Sequence, residues 1–117
     1  MKTALSVNTA LDELPTLVGQ DVALEGVLRF EFEGTALDHF PKSERRDPQD
    51  DGPFEASSVW LSVGLGSLRF NEEQLRRWHG KRVTVLGTLL SPDANLGGCG
   101  HFSAFPAEVL ARSIERL

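Results

Sequence analysis

The chain has 117 residues, 40% of them hydrophobic and 25% charged, which suits one domain with a single core. Seventeen acids against twelve Lys and Arg leave a formal charge of −5, which disfavours generic attraction to a phosphate backbone and suits a soluble surface or a basic partner. No apolar run approaches the roughly 20 residues of a bilayer span, "MKTALSVNTALDEL" lacks a sustained apolar signal region, and Cys99 is the one cysteine, so a cytoplasmic protein without membrane association or internal disulfide is expected.

In chain order, Asn8 is placed to cap a short helix over Thr9 to Leu14, with Asp12 and Glu13 near its positive end. Pro15 stops that helix or restarts it for one turn, and Gly19 supplies a left-handed exit. From Asp21 to Glu33 the residues alternate, with Val22, Leu24, Gly26, Leu28, Phe30 and Phe32 on one face and Ala23, Glu25, Val27, Arg29, Glu31 and Glu33 on the other; this predicts a long half-buried strand. After Gly34, "TALDHF" reads as a short strand or the start of a loop. Residues 41–56, rich in proline and charge, predict a long mobile loop.

"SSVWLSVGL" alternates again, turning Val59, Leu61 and Val63 one way and Trp60 and Ser62 the other. "FNEEQLRRWHG" carries helix grammar, with Asn71 as the cap, Leu75 and Trp78 on one face and Gly80 as the stop. "KRVTVLGTLL" predicts a strand with Val83, Val85, Gly87 and Leu89 inward, "SPDANLGGCG" a loop, and "PAEVLARSI" a last strand. One frame occurs twice: Gly, two residues, Val, one residue, an aliphatic, one residue, Gly. It runs from Gly19 to Gly26 and again from Gly80 to Gly87. Each first glycine ends a helical turn and each second glycine bends a strand. A tandem repeat is the competing reading, although the flanks differ and two copies fall short of a repeat architecture.

Strand, short strand, strand, helix, strand, strand is the order of an OB-fold, so the predicted class is mostly β with α: a five-stranded OB-like barrel with one connecting helix and a short N-terminal helix, forming one domain over 1–117. On its glycine-bent first strand (Gly26), its connecting helix (Asn71 to His79) and its second bent strand (Gly87), the chain resembles an OB-fold domain. It also resembles small bacterial proteins that share a "GKRVTVLG" strand and a later "GHFSAFPA" segment, here Gly100 to Ala107.

Few residues point to chemistry. Cys99 and His101 lack the paired spacing of a zinc site, and Glu31, Glu33, Asp38 and His39 read more simply as the polar side of a strand and its exit than as an acid–base set. "DPQDDG" offers calcium-loop residues in its early places, but Ser58 stands where a bidentate Glu belongs. Phosphate-binding glycine motifs and nucleophile-activating sets are missing from the sequence. No catalytic residue, metal or cofactor is therefore expected.

Two binding readings remain. In the first, Asp47, Asp50, Asp51 and Glu55 of the charged loop, with Trp60, contact a basic protein partner. By general character a small acidic domain of this kind resembles immunity proteins, which neutralise toxic partners such as nucleases. In the second, Trp60, Arg69, Arg76, Arg77, Lys81 and Arg82 bind single-stranded nucleic acid, aromatic stacking adding to a basic groove as in OB domains that bind oligonucleotides. The net charge favours the first.

Overall fold

The computed structural model describes residues 4–31, 34–47, 55–62, 72–92 and 105–117. Alternation in the sequence becomes six strands: β1 (Leu5–Ser6), β2 (Asp21–Glu31), β3 (Gly34–Asp38), β4 (Ser58–Ser62), β5 (Arg82–Leu90) and β6 (Glu108–Arg116). Helices α1 (Val7–Asp12) and α2 (Leu14–Leu17) precede β2, and α3 (Glu72–Trp78) lies between β4 and β5. The long strands form a closed ring in the order β2, β3, β4, β6, β5 and back to β2. All contacts in that ring are antiparallel except β4 with β6. This is the OB-like connectivity. The segment after Gly34 settles as strand β3 through Asp38.

Inside the ring lie the residues the alternation turned inward. Leu24, Leu28, Val59, Val83, Val85 and Leu89 are all fully buried, and this removal of apolar surface from water is the main force holding the ring closed. Leu75 is buried in the same core, and Trp78 packs against it half-buried.

The repeated frame is explained by the pairing of β2 with β5. Val22 stands opposite Gly87, Leu24 opposite Val85 and Gly26 opposite Val83. The hydrogen bonds obey the same exchange. The Gly19 N–H donates to the Leu89 carbonyl and the Gly80 N–H to the Leu28 carbonyl, both at 2.7 Å. The two copies are thus related by a local two-fold axis between Leu24 and Val85. Because the strands run in opposite directions, the helical turns that precede them arrive at opposite ends of the ring. The flanks, expected to differ, correspond as well: Leu14 and Leu17 before the first copy match Leu75 and Trp78 before the second, and all four pack on the core.

At each second glycine a neighbouring strand passes close by. A Cβ on Gly26 would lie 2.5 Å from the Asp38 carbonyl oxygen, and one on Gly87 would overlap the Leu110 carbonyl oxygen. Beside Gly26, at Val27, β2 passes from pairing with β5 to pairing with β3. At Gly87 the register with β6 shifts, Leu86 pairing with Ser113 and Gly87 with Ala111, so Arg112 is the extra residue of a bulge. The first glycines serve differently. Gly19 and Gly80 adopt φ of +82° and +80° with open space at the Cβ position, so they are needed for backbone freedom alone.

The N-terminal helix departs from expectation. It spans Val7–Asp12 and is capped by Ser6, whose Oγ accepts from the Thr9 N–H at 3.2 Å. Asn8 lies inside the first turn and is buried, because its neighbours use it in the interior. Its N–H donates to His39 Nδ1 at 3.1 Å and its side-chain amide to the Glu44 carbonyl at 2.8 Å. Asp12 and Glu13 consequently fall at the C-terminal end of α1, against the helix dipole, and not at its positive end. Arg46 compensates at Asp12 with two hydrogen bonds of 2.7 and 2.8 Å. Those bonds, assisted by the Arg46 charge, hold the Asp12 carboxyl below its ordinary value of 3.8. Strand β2 is described to Glu31, the expected continuation through Phe32 and Glu33 and the Asn71 cap lie outside the described residues, and α3 ends at Trp78 with Gly80 in the turn that follows.

Two predictions follow from this packing. Gly26→Ala and Gly87→Ala should each lower stability by about 2–3 kcal/mol in urea denaturation through overpacking, whereas Gly19→Ala should lose only about 1 kcal/mol through backbone strain. Comparing Asp12→Asn with the wild type across pH tests the surface pair. A lowered carboxyl stabilises the native state above its unfolded value, so the wild-type advantage should be present at neutral pH and fade as the pH drops below 3.8.

Candidate interaction face

Alternation sends a second set of side chains to the outside of β2, β3, β4 and β6, and the register arranges them in rows. One row runs Arg29, Ala36, Trp60, Glu108; the next runs Val27, Asp38, Ser58. The centre of this face is Arg29. Its Nη2 donates to Asp38 Oδ1 at 2.9 Å and its Nη1 to Glu55 Oε1 at 3.1 Å, with Glu31 Oε1 at 3.6 Å. Ser58 Oγ donates to Asp38 Oδ1 at 2.5 Å, and Ser62 donates to Glu108 farther along β4. Burial alone would push the Arg29 guanidinium down, but the hydrogen bonds and charges of Glu55 and Asp38 outweigh it and hold its pKa above the ordinary value.

Beside the ionic cluster is a small apolar one. Ala36 and Phe105 are buried and Trp60 packs half-buried against them. The Trp60 and Phe105 ring centroids are 5.4 Å apart with planes tilted by 57°, a favourable aromatic geometry. Small residues on β3 admit the indole, since a Cβ on Gly34 would overlap its benzo ring. Arg29 Cζ lies 5.7 Å from the Phe105 ring centre. The Trp60 backbone N–H donates to the Ala107 carbonyl at 3.0 Å, fixing the chain just beyond Phe105 along β4.

The residues predicted from sequence are divided by the fold. Glu55 and Trp60 belong to this face, through Arg29 and Phe105 respectively. Asp47 is exposed, and Asp50, Asp51 and Arg69 lie outside the described residues, as do Cys99 and His101. Arg76, Arg77 and Lys81 are exposed at the end of α3 and in the turn after it. Arg82 opens β5 opposite Val27, with its guanidinium 4.1 Å from the Phe40 ring centre and 4.0 Å from Glu25 Oε2.

Sequence reasoning passed over Arg29, whose only signal was a cation between Glu25 and Glu31 on the polar side of a strand. It also left Phe105 without a partner. His39 is buried, with Nδ1 accepting from the Asn8 N–H, which ties α1 to the segment after β3, and Nε2 3.3 Å from Glu44 Oε1 within that segment. His79 Nδ1 accepts from the Phe30 N–H at 3.0 Å and ties the end of α3 to β2. Among the described residues no group of three or more His, Cys, Asp or Glu is placed to hold a metal ion.

Removing the central cation should be felt in stability. Arg29→Ala leaves Asp38 and Glu55 facing a vacated, half-buried site and should lower unfolding free energy by about 2 kcal/mol, less than a fully buried pair would lose. Adding Asp38→Asn and Glu55→Gln to that variant should recover part of the loss in the same denaturation measurement.

No protein-family model matches the chain, and no curated protein matches it. Among solved structures, a chain described as an aspartyl-tRNA synthetase from Leishmania major Friedlin is similar to it, with a TM-score of 0.54 and 16% sequence identity. The match covers 98% of this chain and 20% of that one, so this chain spans about a fifth of that protein's length. At this identity the likeness is one of fold, and it agrees with the OB-like ring.

Proposed function

We propose that the chain is a non-catalytic binding module whose outer face, around Arg29 and Trp60, receives a basic protein partner in the cytoplasm. The observation that supports this reading is the charge pattern of the face. Around Arg29 and the adjoining row stand four carboxylates, Glu31, Asp38, Glu55 and Glu108, and the guanidinium is already engaged by three of them. A phosphodiester approaching there meets unfavourable charge; a lysine or arginine side chain meets complementary charge. The net charge of −5 adds a long-range bias of the same sign. The finer form of the proposal is an immunity-type inhibitor that occludes a basic toxin, a role suited to a small acidic domain.

A second reading, binding of single-stranded nucleic acid, is favoured by one observation: Arg76, Arg77, Lys81 and Arg82 are all exposed within one helix end and the strand entry after it.

The two are separated by one set of measurements. Native-cell capture is compared between the wild type and a Glu31→Lys, Glu108→Lys variant as baits, and fluorescent oligothymidine is titrated into both at low and raised salt. The protein reading expects a basic protein held by the wild type and roughly tenfold slower to associate with the variant at low salt. Identical capture by both baits rejects this face. Oligonucleotide binding with a steep salt dependence, abolished by Arg76→Glu with Arg77→Glu, transfers the function to the second reading.

A further inference from the structure

His39 is a buried titratable side chain that the binding face does not use. Its ring is 2% exposed and lies between the first turn of α1 and the segment that follows β3. Nδ1 accepts a hydrogen bond from the Asn8 N–H at 3.1 Å. That amide belongs to the first helical turn, where no carbonyl of the helix can receive it. Ser6 serves the neighbouring Thr9 N–H from three residues away, whereas His39 serves Asn8 from 31 residues away. An imidazole nitrogen accepts only while it carries no proton. The bond therefore selects one neutral tautomer, with the hydrogen on Nε2, 3.3 Å from Glu44 Oε1. A proton on Nδ1 would set two N–H groups against each other and leave the buried Asn8 amide without an acceptor.

The charged groups around the ring do not remove this conflict. Glu44 favours an imidazolium, but its side chain is 64% exposed and solvent screens its pull. Arg45, whose Nε donates to the His39 carbonyl at 2.8 Å, opposes a second positive charge, as does the exposed Lys42 beyond it. Asp38 on β3 is held by Arg29 and Ser58, Glu55 by Arg29, and Asp12 at the far end of α1 by Arg46. Just before β4 the contact is neutral, the His39 N–H donating to the Ser57 carbonyl at 2.9 Å. His79 supplies the contrast. Its Nδ1 also accepts a backbone N–H, from Phe30, but that ring is exposed and water can replace it there.

We infer that His39 is a pH-sensitive latch for α1: the neutral ring holds the helix to the segment after β3, and proton uptake releases it while the ring of strands stays closed. Released α1 takes up the proton without losing a bond, so acid favours the open form. Opening withdraws Val7 and Ala10, both fully buried, from the core, while Leu24, Leu28, Val83, Val85 and Leu89 remain packed between strands. The latch depends on neither binding reading of the outer surface.

The test follows backbone amide exchange by NMR in the full chain, with rates corrected for the intrinsic effect of pH. The wild-type Asn8 amide should lose roughly tenfold or more of its protection between about pH 7.5 and 5.5, the range in which imidazoles titrate, while Val85 keeps its own. His39→Asn puts an amide oxygen in the place of Nδ1 and cannot titrate, so its Asn8 protection should stay level over the same range. Imidazole nitrogen-15 shifts of the wild type, which require no variant, should show Nδ1 bare at the upper pH and protonated as Asn8 protection falls. Wild-type protection that does not change with pH overturns the proposal, and so does an equal fall in the His39→Asn variant. Loss of protection at Asn8 and Val85 together also overturns it, because that is global unfolding. Should His39→Asn not fold, the nitrogen shifts decide: Nδ1 protonated throughout, or bare throughout, sinks the latch.

Discussion

The structure depends on the contact between β2 and β5. These strands close the ring, and they can do so only because two positions lack a side chain. At Gly26 the backbone of β3 crosses, and at Gly87 that of β6 crosses, each near enough that a methyl group would collide with a carbonyl oxygen. Hydrophobic burial supplies the driving force, but it is not directional. The close crossings are what convert an apolar sheet into a ring, by letting β2 pair with two partners around Val27 and β5 absorb a bulge at Gly87. The local two-fold relation follows from this. Each strand needs a turn to start it and a bend to finish its circuit, and the same short frame meets both needs in either direction.

Much of this was legible because it rests on period and on glycine. Val22, Leu24, Val83, Val85 and Leu89 alternate strictly, and a slip of one residue would have turned each of them to water. Gly19 and Gly80 announced their left-handed turns. What escaped the sequence was side-chain partnership across long separations. Asn8 has the chemistry of a helix cap, yet Ser6 takes that role because His39 and Glu44, remote in the chain, draw Asn8 inward. Trp60 read as packed under the helix or a loop, with exposed recognition as the alternative, and only the return of the chain at Phe105 shows what it packs against. Arg29 gave no motif because its meaning is positional: it becomes a hub once Asp38 and Glu55 are folded against it.

The outer face also shows how a shared fold can be given a different surface. Its register places one guanidinium, several carboxylates and two aromatic rings within a few strand spacings. Arg29 joins the two chemistries, bonding to the acids with its nitrogens and lying against Phe105 with its carbon. Its charge is therefore spent internally, leaving an acidic surround. The basic residues that a polyanion would need are gathered elsewhere, at the end of α3 and the start of β5.

The closure of the ring bears on how the chain reaches this state. Thr88 Oγ1 donates to Asp21 Oδ1 across 67 residues of sequence, and Arg112 Nη1 to Asp21 Oδ2 across 91. The hairpin of β2 and β3 can form early from neighbouring residues, but the seam that seals the ring must wait for most of the chain to be in hand. Loop entropy is then lost before the sealing contacts compensate for it, which places this small domain among slow folders for its size.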